Sequence, residues 1–166
     1  SFTSFLYSML KVLNPIIPIS DNDVINSINE LTKLRKEIGS ENLTNSNPSI
    51  EIAKWITSIP LIYYPAGLQA VAIRFKNSLQ ENAKTHAISE DIVESSHNGI
   101  VAWEKKSLVQ PILIQGIDDF IKTKERWVVL KEYFNIKKID YQEIYSLEGS
   151  ILTKIINLIY VLDYAS

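Results

Sequence analysis

Apolar residues recur every three or four positions along several stretches of the chain, which is the spacing of one face of an α-helix. The first stretch covers residues 2–14 and stops where two prolines follow it. The second follows Ser20, a residue type that caps helix N-termini, and stops at Gly39. A polar loop then leads to the Asn-Pro pair at 47–48, a typical helix start. The pattern therefore predicts a helical first third of the chain.

Continuous apolar runs of strand length follow, at residues 58–64 (SIPLIYY) and 109–115 (VQPILIQ). Such runs are typical of strands buried on both faces of a parallel sheet. A short third strand is expected within residues 135–144, and the stretches between and after these strands have helical patterns, at 67–84, 89–104, 116–134 and 146–166. Alternating strands and helices imply crossover connections. The predicted fold class is α/β, a three-layer αβα sandwich with a small parallel sheet and an extra N-terminal helical segment.

Three local signals indicate where the later helices start or break. Ser89 is a possible cap for the pattern at 89–104, and the Asn-Gly pair at 98–99 should interrupt that helix or start a new turn. Ser146 is the expected cap of the last helix.

Composition limits the classes of function. The 166 residues are 46% hydrophobic and 22% charged, which suits one globular domain. A net charge of -2 offers no electrostatic footprint for nucleic acid, and the short basic runs at 33–36 and 137–138 are interpreted as solvated helix faces. The absence of cysteine excludes disulfides and thiolate sites. No apolar run reaches the roughly 18 residues that span a bilayer. Neither a nucleic acid nor a membrane is therefore an expected partner.

Both chain ends suggest a piece of a longer protein. The sequence opens with SFTSFLYSML, an apolar helical pattern without an initiator Met, a basic start or a small-residue cleavage site. It closes with IYVLDYAS, without a polar tail.

Most familiar site motifs are missing. The chain has no glycine-rich phosphate loop, and the turn YYPAG at 63–67 has one glycine, so it is interpreted as structural. The two histidines are eleven positions apart, which matches no metal-ligand spacing, and no metal is expected. No serine lies in a nucleophile elbow. Glu81 and His97 remain as a possible acid/base pair, although the residues alone favour a surface Glu and a capping or core His.

Three short motifs together resemble a known family. They are AIRFK at 72–76, QENAK at 80–84 and HNGIV at 97–101, with His97 sixteen positions after Glu81. This arrangement is similar to the C-terminal sugar-isomerase (SIS) domain of the bifunctional phosphoglucose/phosphomannose isomerases of archaea and some bacteria. NPSIEIAKWI at 47–56 and LDYAS at 162–166 extend the resemblance over nearly the whole chain.

The resemblance implies a fold, a reaction and a set of site residues. Residues 41–166 would form the C-terminal SIS domain, and residues 1–40 a helical segment linking it to a missing N-terminal SIS domain. The cytoplasmic enzyme would interconvert glucose 6-phosphate or mannose 6-phosphate with fructose 6-phosphate through a cis-enediol, a step in glycolysis and gluconeogenesis. Glu81 would be the base. His97 would assist ring opening across a homodimer interface. The remaining site residues implied are substrate-binding: Arg74, Lys84 and Tyr164. No metal or organic cofactor is implied.

The same resemblance implies that these residues alone are inactive. The family's phosphate-binding Ser/Thr-rich loop lies in its first SIS domain, and a catalytic Lys follows the position of Ser166. Two alternatives stay open: a non-catalytic SIS module that binds sugar phosphates, and a structural domain that mediates dimerisation. The presence of both Glu81 and His97 favours the isomerase.

Overall fold

A four-stranded parallel sheet lies at the centre of the chain in this computed structural model, which describes residues 2–44 and 46–166. Its strands follow the order β2-β1-β3-β4 across the sheet, and every neighbouring pair is parallel. The strands are β1 (Ile59–Tyr64), β2 (Ile88–Asp91), β3 (Val109–Gln115) and β4 (Gln142–Tyr145). β1 and β3 lie where apolar runs predicted strands, and β4 overlaps the short third strand expected within 135–144. The predicted parallel α/β fold is confirmed.

The α-helices connect and flank these strands. They are α1 (Phe2–Leu13), α2 (Asp21–Ile38), α3 (Pro48–Trp55), α4 (Gln69–Ser78), α5 (Ile92–Ser95), α6 (Ile121–Lys137) and α7 (Ile151–Tyr164). A π-helical turn, Leu79–Ala83, continues α4, and a 3-10 helix, Gly99–Glu104, follows α5. Among the described helices none is both long enough and apolar enough to cross a membrane.

Two apolar clusters, one on each face of the sheet, make the fold a three-layer sandwich. Successive side chains of a strand point to opposite faces. In β1, Ile62 and Tyr64 pack with α2, α3, α4 and α7, whereas Leu61 and Tyr63 pack with α5, α6 and the 3-10 helix. The predicted flanking of the sheet by helices is therefore confirmed.

Local capping signals correctly located the starts of α2 and α3. The Ser20 hydroxyl accepts the Asp23 N–H at 3.1 Å, and the Asn47 side chain accepts the N–H groups of Ser49 and Ile50. Such bonds satisfy N–H groups that a helix leaves without an internal partner. Gly39 is the C-cap of α2, as predicted.

Two predicted helix starts were wrong because the chain turns first. The helix expected from 116 begins at Ile121, after a turn in which the Asp119 carboxylate accepts the Gly116 N–H at 3.1 Å. Ser146 does not cap the last helix. It is buried and accepts the Ile117 N–H, while Ser150 caps α7.

The helix start predicted at Ser89 was also wrong, because residues 88–91 form the edge strand β2. This strand pairs with β1 from Leu61 to Tyr64. Its sequence, ISED, has no apolar run, so only pairing with β1 makes it a strand. The predicted interruption at Asn98-Gly99 is confirmed, since α5 ends at Ser95 and the 3-10 helix begins at Gly99.

Candidate active site

Glu81 lies in the π-helical turn at the end of α4. The Lys84 N–H donates to the Leu79 carbonyl, five residues back, which is the hydrogen bond of a π-helix. Leu79 is buried in the core and anchors the turn, and Lys84 ends it with a left-handed φ of 56°. The Glu81 side chain is exposed. Turns of this type are rare and occur often at functional sites.

A cleft of about 620 Å³ opens beside Glu81. It lies between α4 with its π-helical turn, the C-terminal half of α7 and the start of α1. The polar residues that line it are Arg74, Asn77, Ser78, Glu81, Asn82 and Asp163. Phe2, Ile73 and Ile159 contribute apolar wall. We refer to this space as the Glu81 cleft. It is large enough for a small polar molecule.

Arg74 lies in the Glu81 cleft, but its charge is already paired. Its Nη2 and Nε lie 2.6 and 3.1 Å from the same carboxylate oxygen of Asp163. The guanidinium carbon also lies 3.8 Å from the centre of the Phe2 ring. Such ion pairs and cation–π contacts orient an arginine within the protein. In this chain Arg74 therefore holds α1, α4 and α7 together at the cleft.

The other two residues expected to bind substrate differ in their position. The Lys84 ammonium donates to the Glu81 carbonyl at 2.5 Å, so it contacts the backbone of the candidate base. Tyr164 is half-exposed, packs its ring 5.1 Å from that of Tyr160, and is not among the residues lining the Glu81 cleft. The structure thus places Glu81 and Arg74 in the same cleft and Lys84 against the Glu81 backbone, and neither Lys84 nor Tyr164 lines the cleft.

His97 lies on the other side of the sheet. Its N–H donates to the Glu94 carbonyl at 3.0 Å, just after α5, and its side chain is exposed. Ile92 and Trp103, which flank it in sequence, belong to the apolar cluster of the α6 face, whereas Leu79 belongs to the opposite cluster. Within one chain, Glu81 and His97 therefore do not meet.

A partly buried carboxylate lies beneath the segment that carries His97. Burial raises the pKa of Glu90, which is on the edge strand β2. A side chain at Gly99 would place its Cβ 2.8 to 2.9 Å from the Glu90 carboxylate oxygens, so this close approach needs glycine or a shift of Glu90. The sequence alone gave no sign of this contact.

Sequence reasoning also missed Asp163, the residue that pairs Arg74. The two residues are 89 positions apart. The only available signal was the position of Asp163 within LDYAS, a stretch that resembles the family's closing segment. Within the described residues, no three His, Asp or Glu side chains are grouped closely enough to hold a metal ion.

Solved structures with this fold include sugar-isomerase proteins. A glucose-6-phosphate isomerase like protein from Thermus thermophilus superposes with a TM-score of 0.68 at 17% identity, over 87% of this chain and 50% of that chain. The sugar isomerase domain of an RpiR transcription factor from Sphaerobacter thermophilus gives a TM-score of 0.55 at 11% identity, over 85% of this chain and 83% of that one. At these identities, the likeness shows the fold.

Sequence comparison is more specific. A bifunctional phosphoglucose/phosphomannose isomerase from Caldicellulosiruptor bescii is 25% identical over 97% of this chain. The chain spans 48% of that relative's length, about half. The family model for the bacterial phospho-glucose isomerase C-terminal SIS domain matches residues 45–166. The resemblance identified from the three short motifs is confirmed, and this chain belongs to the family of bacterial phosphoglucose isomerase C-terminal SIS domains.

Proposed function

We propose that this chain is the C-terminal half of an aldose–ketose isomerase that interconverts glucose 6-phosphate or mannose 6-phosphate with fructose 6-phosphate. The observation that carries the proposal is the placement of Glu81. It lies within the family motif, in a π-helical turn, beside a cleft of about 620 Å³. Membership of the isomerase family supports the reaction class.

The reaction requires a base that moves a proton between two neighbouring carbons. In the open-chain aldose, Glu81 takes the proton from C2, which leaves a cis-enediol once the C1 oxygen gains a proton. Glu81 then returns the proton to C1, and loss of the C2 hydroxyl proton gives the ketose. A positioned carboxylate contributes about 10²- to 10⁴-fold to such a step. Substrate and protein that cover the cleft would exclude water from the reacting atoms.

The second group of the proposed mechanism, His97, comes from another subunit. The segments that carry Glu81 and His97 pack on opposite faces of one sheet, so a single chain does not join the two side chains. Both segments flank the edge strand β2, one before it and one after it. A symmetric dimer formed around this edge would bring the His97 of each subunit to the Glu81 cleft of the other.

The substrate phosphate is proposed to bind outside this chain. Among the described residues that line the Glu81 cleft, Arg74 is the only cation, and Asp163 pairs with it. Glu81 and Asp163 would repel a phosphate dianion. Since the Caldicellulosiruptor relative is about twice as long, we place the phosphate site in a preceding SIS domain. Residues 1–166 alone are therefore expected to lack isomerase activity.

In this proposal residues 41–166 form the SIS domain, and residues 1–40 link it to the preceding SIS domain. Helix α1 buries none of its side chains fully. Phe5, Val12 and Ile16 are 65, 77 and 78% exposed. A preceding domain packed against this apolar surface would remove it from water.

The base assignment is tested by Glu81→Gln in the complete isomerase polypeptide. This substitution keeps size and hydrogen bonding but removes the basic carboxylate. We expect kcat to fall by about 10²- to 10⁴-fold in a coupled spectrophotometric assay with fructose 6-phosphate. Glu51→Gln, an exposed residue of α3, is the matched control and should keep wild-type activity.

Equal activity in wild type and Glu81→Gln would end the base assignment. If the complete wild-type protein binds sugar phosphates but does not isomerise them, the non-catalytic binding module replaces the proposed function. If it only forms dimers, the dimerisation domain replaces it.

A further inference from the structure

We propose that Asp163 is a positioning residue that holds the π-helical turn of Glu81 against the last turn of α7. Its importance for catalysis rests on the proposed function of Glu81, whereas the contacts themselves do not. Asp163 is not proposed as a second base. Both of its carboxylate oxygens already accept hydrogen bonds, from Arg74 on one side and Ser78 on the other.

The first tie joins Asp163 to the end of α4. Arg74 donates to one oxygen through Nη2 and Nε at 2.6 and 3.1 Å, and Ser78 donates to the other at 3.1 Å. Arg74 and Ser78 are four residues apart, so they lie one above the other on the same face of α4. Ser78 is the last residue of α4 before the π-helical turn begins at Leu79. The carboxylate therefore holds the point at which the helix changes its register.

The second tie joins the far side of the same turn to the same end of α7. The Asn82 side chain donates to the Ser166 hydroxyl at 3.0 Å, and that hydroxyl donates to the Asp163 carbonyl at 3.0 Å. Glu81 thus lies between two anchors, Ser78 before it and Asn82 directly after it. Residues that are far apart in sequence hold both anchors in place.

These ties matter because a π-helical turn is not the default for the backbone. The π-helical turn closes its hydrogen bond over five residues instead of four, so an α-helical register over the same residues would change the angular position of Glu81 around the helix axis. Glu81 would then point in another direction relative to the cleft. The Arg74 and Asp163 side chains are 32 and 26% exposed, and ion pairs with this much exposure contribute little to global stability. The geometry points to a local role in fixing Glu81.

The test is Asp163→Asn in the complete isomerase polypeptide. The substitution keeps the size of the side chain and removes the charge that holds Arg74. We expect kcat to fall by about tenfold or more with a smaller change in KM. Asp163→Glu, which restores the charge, should recover part of the activity.

A matched control breaks another ion pair of α7. Asp118 pairs with Lys154 near the N-terminal end of this helix, at 2.5 Å. Asp118→Asn should leave kcat unchanged. Wild-type kcat in Asp163→Asn would overturn the positioning role.

Amide hydrogen exchange separates this proposal from the proposed function. In Asp163→Asn, the amides of residues 79–85 should exchange about tenfold faster or more, with unchanged protection in β1 and β3. Unchanged exchange in residues 79–85 overturns the proposal, whether or not the protein isomerises sugars. If Asp163→Asn fails to fold, Ser166→Ala removes only the second tie and is measured in its place, with the same two outcomes for exchange.

Discussion

At the scale of single residues, Tyr63 has the most strongly perturbed environment near the His97 segment. Its side chain is fully buried, and its hydroxyl accepts a hydrogen bond from the Trp103 indole at 2.9 Å. Burial raises the pKa of Tyr63 to about 12. The hydrogen bond from Trp103 acts in the opposite direction, and the nearby Glu90 charge adds a smaller increase. A buried phenolate costs free energy, so the folded state holds the neutral form.

This shift predicts a loss of stability in alkaline solution. Tyr63 has an ordinary pKa of 10.0 in the unfolded chain and one of about 12 in the folded chain. Its raised pKa stabilises the fold fully below pH 10.0, and this contribution is lost as the pH rises through about 12. Urea unfolding between about pH 10 and 12 should show a falling free energy of unfolding.

Tyr63→Phe separates this effect from those of other tyrosines. The variant should lose part of the alkaline dependence, because it removes the group that titrates. An identical pH slope in the variant and wild type would contradict the assignment to Tyr63.

Arg74 illustrates how a residue can belong to a site without being free to bind substrate. The motif that contains it was correctly associated with the isomerase family. Its guanidinium, however, is paired with Asp163 and stacked on Phe2. Arg74 is therefore proposed to contribute by maintaining the shape of the Glu81 cleft.

At the scale of elements, two helical segments end at a residue with left-handed backbone. Two non-glycine residues with positive φ in the described chain, Lys84 and Lys138, end the π-helical turn and α6. After Lys138, the Ile139 N–H donates to the Phe134 carbonyl at 2.9 Å, five residues back, as in a Schellman motif. Left-handed backbone is unfavourable for residues with a Cβ and is the usual place for glycine.

Lys138→Gly is therefore expected to stabilise the protein. Removing the Cβ relieves the left-handed conformation, and we expect the free energy of unfolding to rise by about 0.5 to 1 kcal/mol. Urea denaturation of the two proteins measures the change. The same substitution at Lys124, an exposed position inside α6, should instead destabilise by about 1 kcal/mol. A destabilised Lys138→Gly protein would contradict the strain at this position.

At the scale of the whole molecule, the sheet separates the two proposed catalytic groups. Glu81 belongs to the layer of α4 and α7, whereas His97 follows α5 in the layer of α6. The active site is therefore proposed to form between subunits. This arrangement predicts that two inactive variants can complement each other.

Mixing Glu81→Gln with His97→Ala tests this arrangement. In a mixed dimer of complete polypeptides, one site would combine an intact Glu81 with an intact His97, and the other would lack both. After unfolding and refolding together at equal concentrations, we expect activity near roughly a quarter of wild type. Each variant refolded alone serves as the control. Failure to recover activity, with mixed dimers demonstrated by differently tagged subunits, would show that the two groups do not act across subunits.

The sequence by itself determined the elements that depend on neighbouring residues. Ser20 and Asn47 cap their helices with bonds to N–H groups two or three residues ahead. The apolar runs at 59–64 and 109–115 form strands because most residues of each run are apolar and suited to a parallel sheet that is buried on both faces. The family motifs, including Glu81 and His97, could also be recognised from the sequence.

Only the tertiary structure decided the features that depend on distant residues. The polar segment at 88–91 became a strand by pairing with β1, and the pairing of Arg74 with Asp163 spans 89 positions. The π-helical turn that carries Glu81 is likewise flanked by contacts to the end of α7, from Ser78 to Asp163 and from Asn82 to Ser166. Caps and periodicity act within one or two turns of backbone, so sequence patterns reveal them. Edge pairing and the orientation of a side chain in a cleft arise from surfaces that meet only after the chain has folded.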